Sequence, residues 1–258
     1  MEITKVTRIH FSPSGTTRKT AEALTDCLNL PVAGADLLQD PSSEIHFGPD
    51  ELAVFCLPVF AGRLPEVCLP LLRHFTGSHT PAIAVVVYGN RDFDDALLEL
   101  SDLLRDRGFV LAGAAAVVAQ HSIFPKVAAG RPDARDLDKI QAFGKSVLDK
   151  LRRAPSAQDL PELEIPGNRP YCKPSDVPLH PHTSSACIQC GTCSMVCPTN
   201  AIPAENGRIT DKDLCITCTA CISACPVKAR SLSGPVYSLA GWAFAKKCAV
   251  PRQPLFIL

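Results

Sequence analysis

The chain has 258 residues, 46% of them hydrophobic, and its lysines plus arginines balance its aspartates plus glutamates at 26 each. Such a chain has room for one large domain and one small one, and zero net charge excludes a global field favouring nucleic acid, an anionic membrane or an acidic substrate. No apolar run approaches the roughly 18 to 20 residues of a membrane span, and the opening MEITKVTRIHFS lacks the apolar segment of a secretory signal, so a cytoplasmic protein is expected.

Residues 1–153 alternate short apolar runs with helical patterns, which predicts parallel strands joined by crossover helices in an α/β, doubly wound sheet. VTRIHF, ELAVFCL, PAIAVVVYG and VLAGAAAVVA read as strands near positions 6, 52, 82 and 110, with a weaker one over 31–37. Helices fit 17–28, about 65–75, 94–107 and 134–152, where apolar residues such as Leu97, Leu98, Leu100, Leu103 and Leu104 recur at helical intervals. After the first strand comes SPSGTTRKTAEAL. Ser12, Ser14, Thr16 and Thr17 supply hydroxyls, Gly15 lets the backbone turn, and free N–H groups open the next helix, the makings of a phosphate cradle. The stretch matches neither GxGxxG nor GxxxxGK[ST], which weighs against dinucleotide and P-loop readings; a capped helix without ligand is the alternative. Arg18 and Lys19 in the first helical turn each oppose the helix dipole by ~0.3 to 1 kcal/mol, a conflict that a bound phosphate offsets. Two more loops, PVFAGRLP and NRDFDDAL, leave the carboxyl ends of strands, where ligands of such sheets bind. Asp94 and Asp95 precede a helix, where acidic groups suit the dipole.

Residues 154–183 form a proline-rich linker, within which Tyr171 and Cys172 are able to pack on a neighbour. Beyond it CIQCGTCSMVCP, residues 187–198, returns 28 positions later as CITCTACISACP, residues 215–226. Reducing compartments keep thiols free, so these eight cysteines are expected to be ligands rather than bridges, and Cys27, Cys56, Cys68, Cys172 and Cys248 are expected to be small buried hydrophobes. Zinc sites pair C-x2-C units across longer loops, whereas C-x2-C-x2-C-x3-C-P is an iron-sulfur run. Gly191 permits a left-handed turn in the first repeat, and Thr219 holds the matching place in the second. Pro198 and Pro226 are expected to stop a helix at the fourth cysteine, and Ile188, Ile202, Ile216 and Val227 would shield the sulfurs. So short a segment buries too little surface to fold without its metal. Arg208, Lys212, Lys228 and Arg230 are each read as solvated charges. The tail 233–258 holds Trp242 and ends in PLFIL, an apolar terminus expected to dock on its own protein.

The two repeats resemble bacterial ferredoxins over residues 184 to about 230. The resemblance implies a small α+β ferredoxin domain, residues 184–232, with two [4Fe-4S] clusters. Cys187, Cys190, Cys193 and Cys225 would hold one, and Cys197, Cys215, Cys218 and Cys221 the other. The first and third loops resemble those of flavodoxins over residues 3 to 152. That resemblance implies a flavodoxin-like domain in which Ser12, Ser14, Gly15, Thr16 and Thr17 wrap the phosphate of flavin mononucleotide (FMN). Pro58, Val59, Phe60, Ala61 and Gly62 would approach one face of its ring, with Tyr88, Gly89, Asn90, Phe93 and Asp94 bordering the other side. The second loop lacks the tryptophan of many flavodoxins. The whole chain is similar to flavodoxin-ferredoxin fusion proteins of anaerobic bacteria and archaea. This implies transfer of low-potential electrons between FMN and the clusters and on to protein redox partners. The alternatives are an FMN-dependent oxidoreductase reducing a quinone or disulfide, and a redox sensor. No hydrolytic constellation appears among the seven scattered histidines.

Overall fold

The computed structural model describes residues 1–39, 44–175 and 177–258. In chain order the elements are β1 Lys5–His10, α1 Thr16–Asp26, β2 Val32–Asp36, β3 Ile45–Phe47, β4 Glu51–Pro58, α2 Cys68–Leu72, β5 Phe75–Gly77, β6 Thr80–Tyr88, α3 Ala96–Asp106, β7 Phe109–Val118 and α4 Ala134–Arg153. After a 3-10 turn at Ala157–Asp159 come β8 His182–Thr183, α5 Thr192–Met195, α6 Ala220–Ser223, β9 Arg230–Ser231, α7 Pro235–Lys247 and β10 Leu255–Ile257.

The main sheet has the order β10-β7-β6-β4-β1-β2. All pairs are parallel except β10 with β7. Without β10 the five strands run 2-1-3-4-5 in order of appearance, the flavodoxin-like arrangement, whose switch point lies between the first and third of them, here β1 and β4. The central strands β4 and β6 are buried along almost their whole length because helices cover both faces, which is why they read as continuous apolar runs. On one face Leu24 and Leu28, from α1 and the residues after it, pack with Ile140, Phe143, Val147 and Leu151 of α4. On the other, Leu97, Leu100 and Leu104 of α3 pack with Leu72 of α2 and a knot of Phe47, Phe55, Phe75 and Phe109. α4 is fixed at its start by a capping box of Asp133 and Asp136.

The expected helix over 65–75 shrinks to five residues, because Pro65 and Pro70 flank and interrupt it and Phe75 immediately starts β5. The small parallel pair β3 and β5 was not legible as strands. Beyond α4 the proline-rich stretch is no free joint up to Cys172: Leu163 is buried in the core beside α3, and Arg105 donates to its carbonyl at 2.9 Å. Position 176 lies outside the described residues. The tail docks on its own protein, where β10 becomes the sixth strand with Phe256 against Phe143 at 5.0 Å. Among the described residues no helix is long and apolar enough to cross a membrane.

Candidate functional site

The carboxyl ends of β1, β4, β6 and β7 all open toward one cavity of about 1160 Å³, walled partly by the cysteine-rich segment. At the first loop Gly15 takes φ 88° and sets the start of α1. The Gly15 N–H donates to the Ser12 carbonyl at 3.2 Å, and the Arg18 N–H donates to Ser12 Oγ at 2.9 Å. Among the described residues, the N–H groups of Ser14, Thr16 and Thr17 have no protein acceptor, and the side chains of Ser14 and Thr16 meet at 3.3 Å. Ser14, Thr16 and Thr17 line the cavity. Three free donors and three hydroxyls at the start of an eleven-residue helix fit an anionic oxygen cluster such as a phosphate. Lys19 turns away, donating to the Pro132 carbonyl at 2.6 Å.

Pro58 to Gly62 all line the cavity. Phe60 and Arg63 exchange two backbone hydrogen bonds of 2.9 and 3.0 Å, which fold this loop into a tight hairpin with Ala61 and Gly62 at its tip. Arg63 is gripped by Glu99 of α3 at 2.8 and 2.7 Å, lies 4.8 Å from the Tyr171 ring centre, and donates to the Cys172 carbonyl at 2.9 Å. The hydrogen bonds it donates to the Glu99 carboxylate raise its already high pKa, so the guanidinium is a fixed charge in the wall.

The third loop divides its residues. Tyr88 and Gly89 line the cavity, whereas Phe93 packs edge-on to Tyr88 at 5.5 Å and Asp94 pairs with Arg91. The Asn90 side chain is buried and engages the tail: Nδ2 donates to the carbonyls of Cys248 at 2.9 Å and Val250 at 3.0 Å, while Oδ1 accepts from the Arg252 N–H at 2.8 Å. Asp95 is also buried. Its carboxylate accepts from Asn168 N–H at 2.7 Å and Cys172 N–H at 2.6 Å, so it pins the proline-rich strap rather than merely suiting a helix dipole. Those N–H groups hold its pKa below the usual carboxylate value against the opposing effect of burial.

A fourth loop, after β7, also reaches the cavity with Gln120, His121, Ser122, Ile123 and Phe124. Burial pushes His121 down to about 4, and its Nδ1 accepts the N–H groups of Ile123 at 3.2 Å and Phe124 at 3.1 Å, so the ring is neutral with its proton on Nε2. Sequence reasoning passed over this loop because a lone histidine carries no pattern.

In the cysteine-rich segment the 28-residue repeat extends into the backbone. Gln189 and Thr217 have φ 54° and 52°, Gly191 and Thr219 have 78° and 67°, and Asn200 and Lys228 have 54° and 52°. Thr219 thus adopts the same left-handed turn as Gly191 despite its β-branch. The four thiols of Cys197, Cys215, Cys218 and Cys221 line one small cavity. Burial pushes Cys218 up to about 12 and Cys221 up to about 11, and each is raised further by its neighbours in that set. Cys225 is shifted the other way: against burial, and against Cys190 of the first repeat, the backbone N–H groups of Arg230, Ala229 and Val227 lower its pKa. Among the described residues no three metal-binding side chains converge on a point suited to a single ion. Ala229 N–H donates to Cys225 Sγ at 3.2 Å.

Arg230 is not the solvated charge expected. It is 3% exposed, and its guanidinium donates to Gly207 O at 2.6 Å, Thr210 Oγ1 at 2.8 Å and Ile209 O at 3.1 Å while lowering the pKa of Cys221. Cys215 and Cys218 also line the large cavity, opposite the loops of the α/β sheet. Across that junction Cys218 adds to the effect of burial in raising the pKa of Cys68, at the start of α2.

The strand order defines a flavodoxin-like α/β unit, and residues 186–229 match the family described as a 4Fe-4S dicluster domain. The chain thus joins a sheet of flavodoxin-like strand order to a segment that matches a 4Fe-4S dicluster domain. No curated protein matches the sequence. Among solved structures it is similar to a flavodoxin of Streptococcus pneumoniae, at 13% identity and TM-score 0.40 over 57% of this chain and 99% of that one. It is also similar to an azoreductase of Bacillus anthracis, at 10% identity and TM-score 0.40 over 57% and 100%. The flavodiiron protein of Giardia intestinalis shares 16% identity at TM-score 0.38 over 58% and 36%. These likenesses are weak, and the fold assignment rests on the strand order.

Proposed function

We propose that the protein is an electron carrier holding FMN and two [4Fe-4S] clusters, which passes low-potential electrons between them and on to protein redox partners. When bound, a flavin accepts electrons in pairs and releases them singly, and each cluster moves one at a time. The observation that carries this reading is the shared cavity, into which both the sheet loops and Cys215 and Cys218 face. The chain's own residues do the rest. Ser14, Thr16 and Thr17 would hold the phosphate, and the hairpin at Pro58 to Gly62 with Tyr88 and Gly89 would bound the ring. Cys187, Cys190, Cys193 and Cys225 would bind one cluster and Cys197, Cys215, Cys218 and Cys221 the other. Arg230 offsets negative charge beside the second set. The strap pinned by Asp95 and the tail held by Asn90 tether the iron-sulfur domain at both ends, which keeps the separation short and repeatable.

The size of the cavity, about 1160 Å³, exceeds the ~300 to 1,000 Å³ of ordinary ligand pockets and favours a second reading, an FMN-dependent oxidoreductase reducing a small quinone or disulfide. Iron, acid-labile sulfide and flavin measured on protein purified without oxygen test the cofactors; the proposal requires about eight irons and one FMN per chain. Anaerobic turnover with a panel of small acceptors separates the readings. Catalytic reduction of one acceptor without a protein partner would replace the carrier by the oxidoreductase.

A further inference from the structure

We infer that the C-terminal helix α7 is a wall of the flavin site, with Phe244 as a flavin-positioning residue supplied from beyond the iron-sulfur domain; this rests on the FMN reading above. Loop two has no tryptophan and brings one aromatic ring, Phe60, to the cavity; a second aromatic group is assembled elsewhere. Ala240 and Phe244 of α7 line the cavity together with His121 and Phe124 of the loop after β7. Phe244 packs on the His121 ring at 4.7 Å and on Phe124 at 5.1 Å, and Tyr237 stacks on Phe124 at 5.5 Å. The Tyr237 hydroxyl donates to the Ile123 carbonyl at 2.9 Å.

Tyr237, Ala240, Gly241 and Phe244 occupy one face of α7 at three- and four-residue spacing, so the whole inner face is committed to this junction. Glycine inside a helix costs about 1 kcal/mol relative to alanine. Its use at 241 has a steric reason: a Cβ there would sit 3.2 Å from Phe124 Cδ1, closer than ordinary van der Waals contact, so the Phe124 ring must yield even to alanine and a larger side chain crowds the junction. Immediately after the helix, Asn90 of the third loop grips Cys248, Val250 and Arg252, and β10 joins the sheet edge. Two of the four loops around the cavity therefore hold the tail, and the tail in turn completes the cavity. The outer face carries Val236, Leu239 and Trp242, all at least 66% exposed, and makes no part of this wall.

The test is FMN titration of flavin-depleted full-length protein without oxygen, followed by flavin fluorescence and visible circular dichroism. Hydrogen exchange is read across 235–247 with and without FMN. Phe244→Ala and Gly241→Leu are each expected to weaken the FMN dissociation constant on the order of ten-fold and alter the visible dichroism. Trp242→Ala, on the outer face, should leave both unchanged, and FMN should slow exchange in α7 of the wild type. Iron content and far-ultraviolet dichroism serve as folding controls, and the two inner-face variants perturb the wall by different means. If the wild type binds FMN but both variants bind it equally well and α7 exchange ignores FMN, the inference is overturned. If the wild type takes up no FMN at all, the flavin reading itself has failed.

Discussion

Replacing Asn90 by alanine should release the tail without touching either metal-binding repeat. Asn90 is 4% exposed and makes three hydrogen bonds to main-chain groups of the tail, at 2.9, 3.0 and 2.8 Å. At about 0.5 to 1.5 kcal/mol each, their combined loss is about 1.5 to 4.5 kcal/mol. Its φ of 63° adds to this, since asparagine tolerates the left-handed region better than alanine. The neighbouring Arg252–Asp92 ion pair is substantially exposed and compensates little. The tail opens locally rather than with the whole protein, so the cost should appear as faster amide exchange at Leu255, Phe256 and Ile257, by ~10- to ~2,000-fold. Mass-spectrometric hydrogen exchange reads this directly, with β4 and β6 as internal references. Unchanged exchange at β10 would refute the role assigned to Asn90.

Removing iron with a chelator under reducing conditions should make residues 184–232 protease-sensitive while 1–153 stay resistant, if bound clusters serve as the core of the smaller part as proposed; a resistant apo-segment contradicts this. Arg230→Met removes a buried cation and strands the Gly207 and Ile209 carbonyls. It should lower holo-protein stability by about 2 to 4 kcal/mol in denaturant titrations and make the midpoint potential of the nearer cluster more negative by voltammetry. His121 has a folded-state pKa of about 4 against an unfolded value near 6.5, because burial disfavours its charge. Its contribution is therefore fully present above pH 6.5 and is lost as pH falls toward 4, on the order of 3 kcal/mol in all. Unfolding free energies measured across that window should fall less steeply in His121→Gln than in the wild type.

What sequence could and could not reveal follows from the range of the forces involved. The strands β4, β6 and β7 are central, buried on both faces and thus written as unbroken apolar runs. The thiol spacing is equally local, because three ligands of one set must curl within seven residues. Thr219 shows the limit of residue preferences: the geometry of its repeat holds it left-handed although glycine suits that turn better. Asp95 was legible as an acid near a helix start, but its true partners lie at Asn168 and Cys172, far along the chain. PLFIL announced an apolar terminus without naming the edge of β7 that receives it. His121, Phe124 and Phe244 share no motif, and only the packing of α7 onto the loop after β7 brings them together.

Electron exchange between flavin and clusters within one chain, across the shared cavity, is open to anaerobic rapid-reaction kinetics. After the clusters are reduced in a flash, the rate of flavin bleaching is followed over a wide range of protein concentration. The account predicts a first-order rate independent of concentration. A rate proportional to concentration, or no bleaching in protein that holds both cofactors, would contradict it.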